Sequence, residues 1–158
     1  MNLSASVATL FGIGRAPYAP GTVASIVAMP LALGIAMWGG RVTLLVATIF
    51  VTAVGGWASE HYVRETGKID PSECVIDELA GQWLALSFAP LGILAYALAF
   101  ALFRLLDIFK PWPIRAVERL PGGLGVMTDD VLAGLLAGLV VAVFAHTGLV
   151  LLITRREG

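Results

Sequence analysis

The stretch that decides the fold is residues 79–103, which read LAGQWLALSFAPLGILAYALAFALF. This run is longer than the roughly 20 residues that one membrane-spanning helix needs, but Pro90 and Gly92 lie in its middle. Proline inside a helix removes a hydrogen bond and clashes with the preceding turn. The helical pattern extends beyond the run on both sides, so we predict a hairpin of two helices, 74–88 and 92–110, joined at Pro90. A single span kinked at Pro90 is the alternative, because membrane helices tolerate such kinks.

Three further apolar stretches cover much of the remaining chain: Thr22–Trp38, Val42–Ala58 and Val131–Ile153. Apolar residues make up 58% of the 158 residues and charged residues 13%, against about 45–50% and 25% in soluble domains. We therefore predict an all-α fold, a polytopic integral membrane helical bundle with four apolar stretches, forming a single domain over residues 1–158. The composition excludes a disordered chain and a coiled coil, and the single cysteine excludes an internal disulfide.

The charged side chains segregate once the hairpin is assumed. All but four of them then lie on one membrane face, and the four on the other face are Arg41, Arg155, Arg156 and Glu157. Because most lysines and arginines lie on the crowded face, that face is predicted to be cytoplasmic, although Arg155 and Arg156 oppose this assignment. The net charge of −1 and the lack of a basic run argue against a nucleic-acid partner.

Five carboxylates are predicted at the membrane boundary, on three helix ends: Asp77, Glu78, Asp107, Asp129 and Asp130. Ionisable groups at this depth are costly and tend to mark functional sites. Oxygen ligands of this kind suit Mg²⁺ or Mn²⁺, which bind one or two carboxylates together with substrate phosphate. If the three helix ends converge, the set predicts a divalent-cation site. The alternative is local structure, with Arg104–Asp107 or Asp107–Lys110 ion pairs and acids that cap helices.

Two glycine-rich loops precede predicted helices and offer a phosphate site. Glycines let backbone amides approach a ligand closely, and the start of a helix binds anions through its free N–H groups and dipole. The candidate phosphate-binding residues in and near these loops are Gly12, Gly14, Arg15, Gly21, Thr22, Gly123 and Gly125. The structural alternative is that Thr22 and Thr128 only cap their helices.

Four ordered motifs make the chain similar to a known family. They are GIGRAPYAPGT at residues 12–22 with Ser25, Asp77-Glu78 with Gly81, FRLLDIFKPWPI at residues 103–114, and GGLGVMTDD at residues 122–130. Over nearly its whole length the sequence resembles the phosphatidylglycerophosphatase A family of bacterial membrane lipid phosphatases. The resemblance implies Mg²⁺-dependent hydrolysis of phosphatidylglycerophosphate to phosphatidylglycerol and inorganic phosphate, in phosphatidylglycerol and cardiolipin synthesis. It also implies a multi-pass protein of the bacterial inner membrane with its site on the cytoplasmic face.

The resemblance implies specific roles for the candidate residues in this reaction. The five carboxylates would hold one or two Mg²⁺ ions against the terminal phosphate, polarising it and activating water for in-line attack. Lys110, Arg15 and Arg104 would neutralise phosphate charge. The sequence leaves open whether water or one of the carboxylates attacks.

Two other functions remain open at this point. A divalent-cation carrier could build its site from broken helices, and the interruption at Pro90 permits this. A phosphatase acting on another lipid, such as phosphatidic acid, would share the chemistry and differ only in its headgroup contacts.

Overall fold

The computed structural model describes residues 2–148, and this part of the chain contains helices and no strand. The α-helices are α1 (Leu3–Ala8), α2 (Pro20–Thr66), α3 (Ile76–Phe88), α4 (Ile93–Phe109), α5 (Ile114–Val117) and α6 (Gly123–His146), and a 3-10 turn spans Ile13–Arg15. The predicted all-α class is confirmed. The last part of the fourth predicted apolar stretch, with Arg155, Arg156 and Glu157, lies outside the described residues.

Helix α2 consists of two helical arms that meet at Gly40, whose φ of 78° and ψ of −179° are not helical. The first arm descends along α3, because the indole N–H of Trp83 donates to the carbonyl of Ala28 at 2.9 Å. The second arm returns to the start of α3, where the Ser59 hydroxyl lies 3.2 Å from the Cys74 sulfur. The chain therefore reverses at Gly40, where a positive φ favours glycine. The first two predicted apolar stretches occupy separate arms.

Helices α3 and α4 form an antiparallel pair joined by residues 89–92, which include Pro90. The return of α4 alongside α3 is seen at Phe103, whose ring lies against Gly81. At the turn, Arg41 donates to the carbonyls of Ser87 at 3.0 Å and Phe88 at 2.7 Å. These are carbonyls that the end of a helix leaves without partners. The predicted break at Pro90 is thus observed as a helical hairpin.

Helices α3 and α6 pack so closely that their backbones are in contact, and glycines lie at the points of contact. A side chain on Gly134 would overlap the backbone oxygen of Gly81, and one on Gly138 would lie 2.6 Å from the Phe88 ring. A side chain on Gly81 would in turn crowd the backbone oxygen of Asp130, at 2.5 Å. Small residues permit this close packing between apolar helices. The contact places the first turns of α3 next to the acidic residues of α6.

The outer surface of the helices is strongly apolar. Helices α2 and α6 are each long and apolar enough to cross a membrane. Large apolar side chains such as Trp38, Val42, Ile49 and Phe50 are exposed on α2. An apolar surface of this extent marks contact with a membrane or another protein.

The glycine contact between α3 and α6 gives a stability prediction. Replacing Gly134 with alanine should lower the free energy of unfolding by about 1–3 kcal/mol, because the added methyl group forces the helices apart. The matched control is Gly56→Ala on α2, where a side chain would meet no atom within 4 Å. Thermal unfolding of the detergent-purified variants measures both. Equal melting temperatures for the two variants would contradict the close contact.

Candidate active site

A cavity of about 640 Å³ opens where α2, α3 and α6 begin and α4 ends. Most of the residues that the sequence singles out meet there. Those that line the cavity are Gly21, Thr22, Asp77, Glu78, Arg104, Asp107, Lys110, Gly125, Asp129 and Asp130. The expected convergence of three helix ends is therefore present.

Gly12, Gly14, Arg15 and Gly123 are not among the residues that line this cavity. Gly14 packs against the backbone of Glu73, where a side chain would overlap a carbonyl oxygen. Gly123 packs against the backbone of Glu60 and donates its N–H to the Glu60 carboxylate at 2.7 Å. Gly14 lies in the 3-10 turn and Gly123 is the first residue of α6, so residues 123–130 are helical and not the loop that the sequence predicted. Close packing against neighbouring backbone accounts for both glycines without a ligand.

Three carboxylates form the acidic cluster of the cavity: Asp77, Glu78 and Asp130. Each offers an oxygen within 4.8 Å of the others, and both aspartates are buried. Glu78 Oε2 and Asp130 Oδ2 are buried without a hydrogen-bond partner among the described residues. Buried carboxylates without partners are strongly disfavoured, and a divalent cation with oxygen ligands is the group that such a cluster fits.

The other two carboxylates are held by cations. Arg104 donates to Asp107 at 2.5 Å, with both side chains almost buried. Lys110 donates to Asp129 and, at 3.1 Å, to Glu118. Partial burial by itself lowers the pKa of Lys110, but the hydrogen bond and charge of Asp129 outweigh it, so the pKa is raised. The five predicted acids therefore divide into an acidic cluster of three and two ion-paired aspartates.

The start of α2 contributes backbone to the same site. Gly21 lies directly against Glu78. The Glu78 carboxylate occupies the space that a side chain at position 21 would need. The Thr22 hydroxyl is 3.4 Å from Arg104 Nη2. The positive end of the α2 dipole thus lies beside the acidic cluster.

Several residues of the cavity carry no clear signal in the sequence. Glu118 and Arg119 line it from the segment between α5 and α6, and Asp70 lines it from the segment between α2 and α3. Gln82, one turn after Glu78, does not line the cavity, but it is fully buried and its amide has no partner among residues 2–148. The spacing of Glu78 and Gln82 on one helical face is the only hint that the sequence offers for these residues.

Cys74 also borders the cavity but does not suit nucleophilic chemistry. Burial raises the pKa of its thiol to about 11. The thiolate is the nucleophilic form of cysteine, so this side chain is protonated and unreactive near neutral pH.

Comparison with known proteins agrees with this geometry. Residues 6–145 match the sequence model of the family described as Phosphatidylglycerophosphatase A. The chain belongs to this family. It is therefore a member of a family of phosphatase enzymes, as the motifs predicted, and together with the two long apolar helices this indicates membrane association.

Three relatives cover most of the chain. A Bacteroides thetaiotaomicron protein provisionally named a phosphatidylinositol-3-phosphatase is 38% identical over 87% of this chain and 90% of its own. Phosphatidylglycerophosphatase A of Escherichia coli is 33% identical, over 86% and 80% of the two chains. The Haemophilus influenzae phosphatidylglycerophosphatase A is 36% identical, over 85% and 83%. No solved structure matches the chain significantly.

The ion pair between Lys110 and Asp129 predicts a large effect of removing one partner. Lys110→Met should lower the free energy of unfolding by about 3 kcal/mol or more, because it leaves Asp129 charged and buried. The double variant Lys110→Met/Asp129→Asn should recover part of this loss.

The matched control is Lys68→Met, which removes an exposed pair with Glu73 and should cost under about 1 kcal/mol. Melting curves in detergent compare the three variants. A Lys110→Met variant as stable as Lys68→Met would contradict the buried pair.

Proposed function

We propose that this protein hydrolyses the terminal phosphomonoester of phosphatidylglycerophosphate, releasing phosphatidylglycerol and inorganic phosphate, and that it requires Mg²⁺. The observation that carries the proposal is one cavity lined both by an acidic cluster and by two cations that acids hold in place. Family membership and the two phosphatidylglycerophosphatase A relatives support the substrate. The reaction would serve phosphatidylglycerol and cardiolipin synthesis.

The acidic cluster fits the metal by its chemistry. Asp77, Glu78 and Asp130 would hold Mg²⁺, since carboxylate oxygens without other partners are the ligands that this ion prefers. When bound, Mg²⁺ supplies Lewis-acid polarisation of the phosphoryl group. Asp107 and Asp129, which the sequence also assigned to the metal, are ion-paired with Arg104 and Lys110, and in this proposal their role is to position those cations.

The two cations keep donors available for the phosphate. A lysine ammonium has three N–H donors, and Asp129 and Glu118 take two of those of Lys110. Arg104 uses Nη1 for Asp107, and its buried Nε has no partner among the described residues. Both side chains are thus fixed by acids and can stabilise the charge that develops on the phosphoryl oxygens, as cationic clamps do.

A proton acceptor is also present. Asp129 binds Lys110 through Oδ2, whereas its Oδ1 is buried without a partner in the described structure. In the proposed reaction an attacking water passes its proton to this oxygen as the new bond to phosphorus forms. The bond from phosphorus to the lipid alcohol breaks, the alcohol oxygen takes a proton from solvent water, and Asp129 returns its proton to solvent.

We further propose how the helices cross the bacterial inner membrane. The two arms of α2, the α3–α4 hairpin and α6 would form a polytopic bundle. Its cavity end would face the cytoplasm, as the distribution of lysine and arginine favours. Arg41, at the opposite end beside the hairpin turn, would mark the other interface.

Cysteine labelling tests this topology. In a Cys74→Ser background, Ser72→Cys and Arg115→Cys should react with a membrane-impermeant maleimide only in inverted vesicles, because both exposed positions lie at the cavity end. Leu91→Cys, exposed in the hairpin turn, should react only from the periplasmic side. Labelling of positions 72 and 115 from opposite faces would refute the arrangement.

An activity assay with the purified protein tests the reaction. Phosphate release from phosphatidylglycerophosphate should stop in excess EDTA and return with Mg²⁺.

Asp130→Asn should lower kcat by at least about a hundredfold, because it removes a charge at the centre of the site. It should also weaken Mn²⁺ binding measured by electron paramagnetic resonance. Glu65→Gln, which changes an exposed acid bonded to Asn2, should leave both properties unchanged. Full activity in EDTA or in Asp130→Asn would contradict the proposed site.

The Bacteroides relative supports a second substrate, a phosphatidylinositol 3-phosphate. It carries the same terminal phosphomonoester, so the same cavity chemistry applies. A panel of phosphatidylglycerophosphate, phosphatidylinositol 3-phosphate and phosphatidic acid decides between them, and the highest kcat/KM identifies the substrate.

A further inference from the structure

The cavity is larger than the acidic cluster and its two cations require. Its volume of about 640 Å³ is in the range of about 300–1,000 Å³ that holds ligands the size of a lipid headgroup. The cavity is also lined by Glu118, Arg119 and Leu120 from the segment between α5 and α6, and by Asp70 from the segment between α2 and α3. A ligand that fills the cavity therefore extends beyond the phosphate at the cluster.

Arg119 differs from the other two cations of the cavity. Arg104 is paired with Asp107, and Lys110 is paired with Asp129 and Glu118. Arg119 has no carboxylate within ion-pair distance in the part of the chain that the structure describes. The neighbouring Glu118 is already engaged by Lys110. Arg119 is thus a cavity cation whose guanidinium, a planar fork that fits phosphate oxygens, is available to a ligand.

The surroundings of Arg119 place it near the surface of the proposed membrane. Trp112, which lines a neighbouring surface cavity together with Arg119, is 84% exposed, and the adjacent Leu120 is also exposed. Exposed aromatic side chains next to basic residues are typical of the membrane–water interface. The phosphodiester of a membrane lipid lies at the same level, among the headgroups.

We propose that Arg119 binds the phosphodiester of the lipid substrate while Arg104 and Lys110 hold the terminal phosphomonoester beside the acidic cluster. This assignment rests on the proposed function and extends it to a class of substrate. The preferred lipids carry a phosphodiester followed by a phosphomonoester, as phosphatidylglycerophosphate and phosphatidylinositol 3-phosphate both do. Phosphatidic acid has only the monoester and cannot use this contact.

The product phosphatidylglycerol provides a test, because it keeps the diester and lacks the monoester. With wild-type protein and Arg119→Gln in mixed micelles, we expect the KM for phosphatidylglycerophosphate and the inhibition constant of phosphatidylglycerol to rise together. The rise should be about 10- to 100-fold, as for loss of a charged hydrogen bond, with kcat changed much less. Inhibition by inorganic phosphate, which would bind to Arg104 and Lys110 beside the acidic cluster and not to Arg119, should be unchanged.

Arg115→Gln is the matched control. Arg115 lies four residues earlier and does not line the cavity, but its loss changes the net charge equally. A similar rise in KM in Arg115→Gln, or weaker inhibition by inorganic phosphate in Arg119→Gln, would overturn the assignment and indicate a general electrostatic effect. An unchanged KM in Arg119→Gln would also overturn it. Absence of phosphate release by wild-type protein from every lipid would instead refute the proposed function, and the assignment with it.

Discussion

The contact between the backbones of α3 and α6 is the constraint on which the site depends. Gly81 and Gly134 allow the two helices to touch without intervening side chains. Because of this contact, Asp77 and Glu78 on one helix face Asp130 on the other. Wider helix spacing would separate the carboxylates, and the Mg²⁺ ion of the proposed function would then lack a common site. The glycines thus contribute to the chemistry only by setting the distance between α3 and α6.

The acids around the cavity form two groups, one that is ion-paired with cations and one that is not. Asp107 and Asp129 fix Arg104 and Lys110 and keep them beside the site. The acidic cluster lacks such partners within the described residues. An acid-held cation loses little mobility when phosphate arrives, since its side chain is already ordered. The same arrangement limits the repulsion among five neighbouring acids, because two of them are ion-paired with Arg104 and Lys110.

Much of this architecture could be predicted from the sequence, because it depends on residues that act on their own stretch of chain. Pro90 and Gly92 interrupt an apolar run, and the resulting hairpin brings Asp107 back towards Asp77. The division of the acids could not be predicted, because it depends on which cation reaches which carboxylate across helices. The packing of Gly14 against Glu73 could not be predicted either. A glycine that is needed for close backbone contact cannot be distinguished by sequence from a glycine that binds phosphate. Arg119 enters the cavity only through the path of the chain after α5.

The short length of α3 has a consequence for how a lipid would be processed. Its 13 residues extend over about 20 Å, less than the roughly 30 Å of a bilayer's hydrocarbon core. Within the proposed topology, the acidic cluster at its start is recessed below the start of α6, which precedes Asp130 by seven residues, and is level with the start of α2 at Gly21. The diacylglycerol moiety could then remain in its leaflet throughout a turnover. Only inorganic phosphate would cross into water, and the enzyme would avoid the cost of extracting two acyl chains.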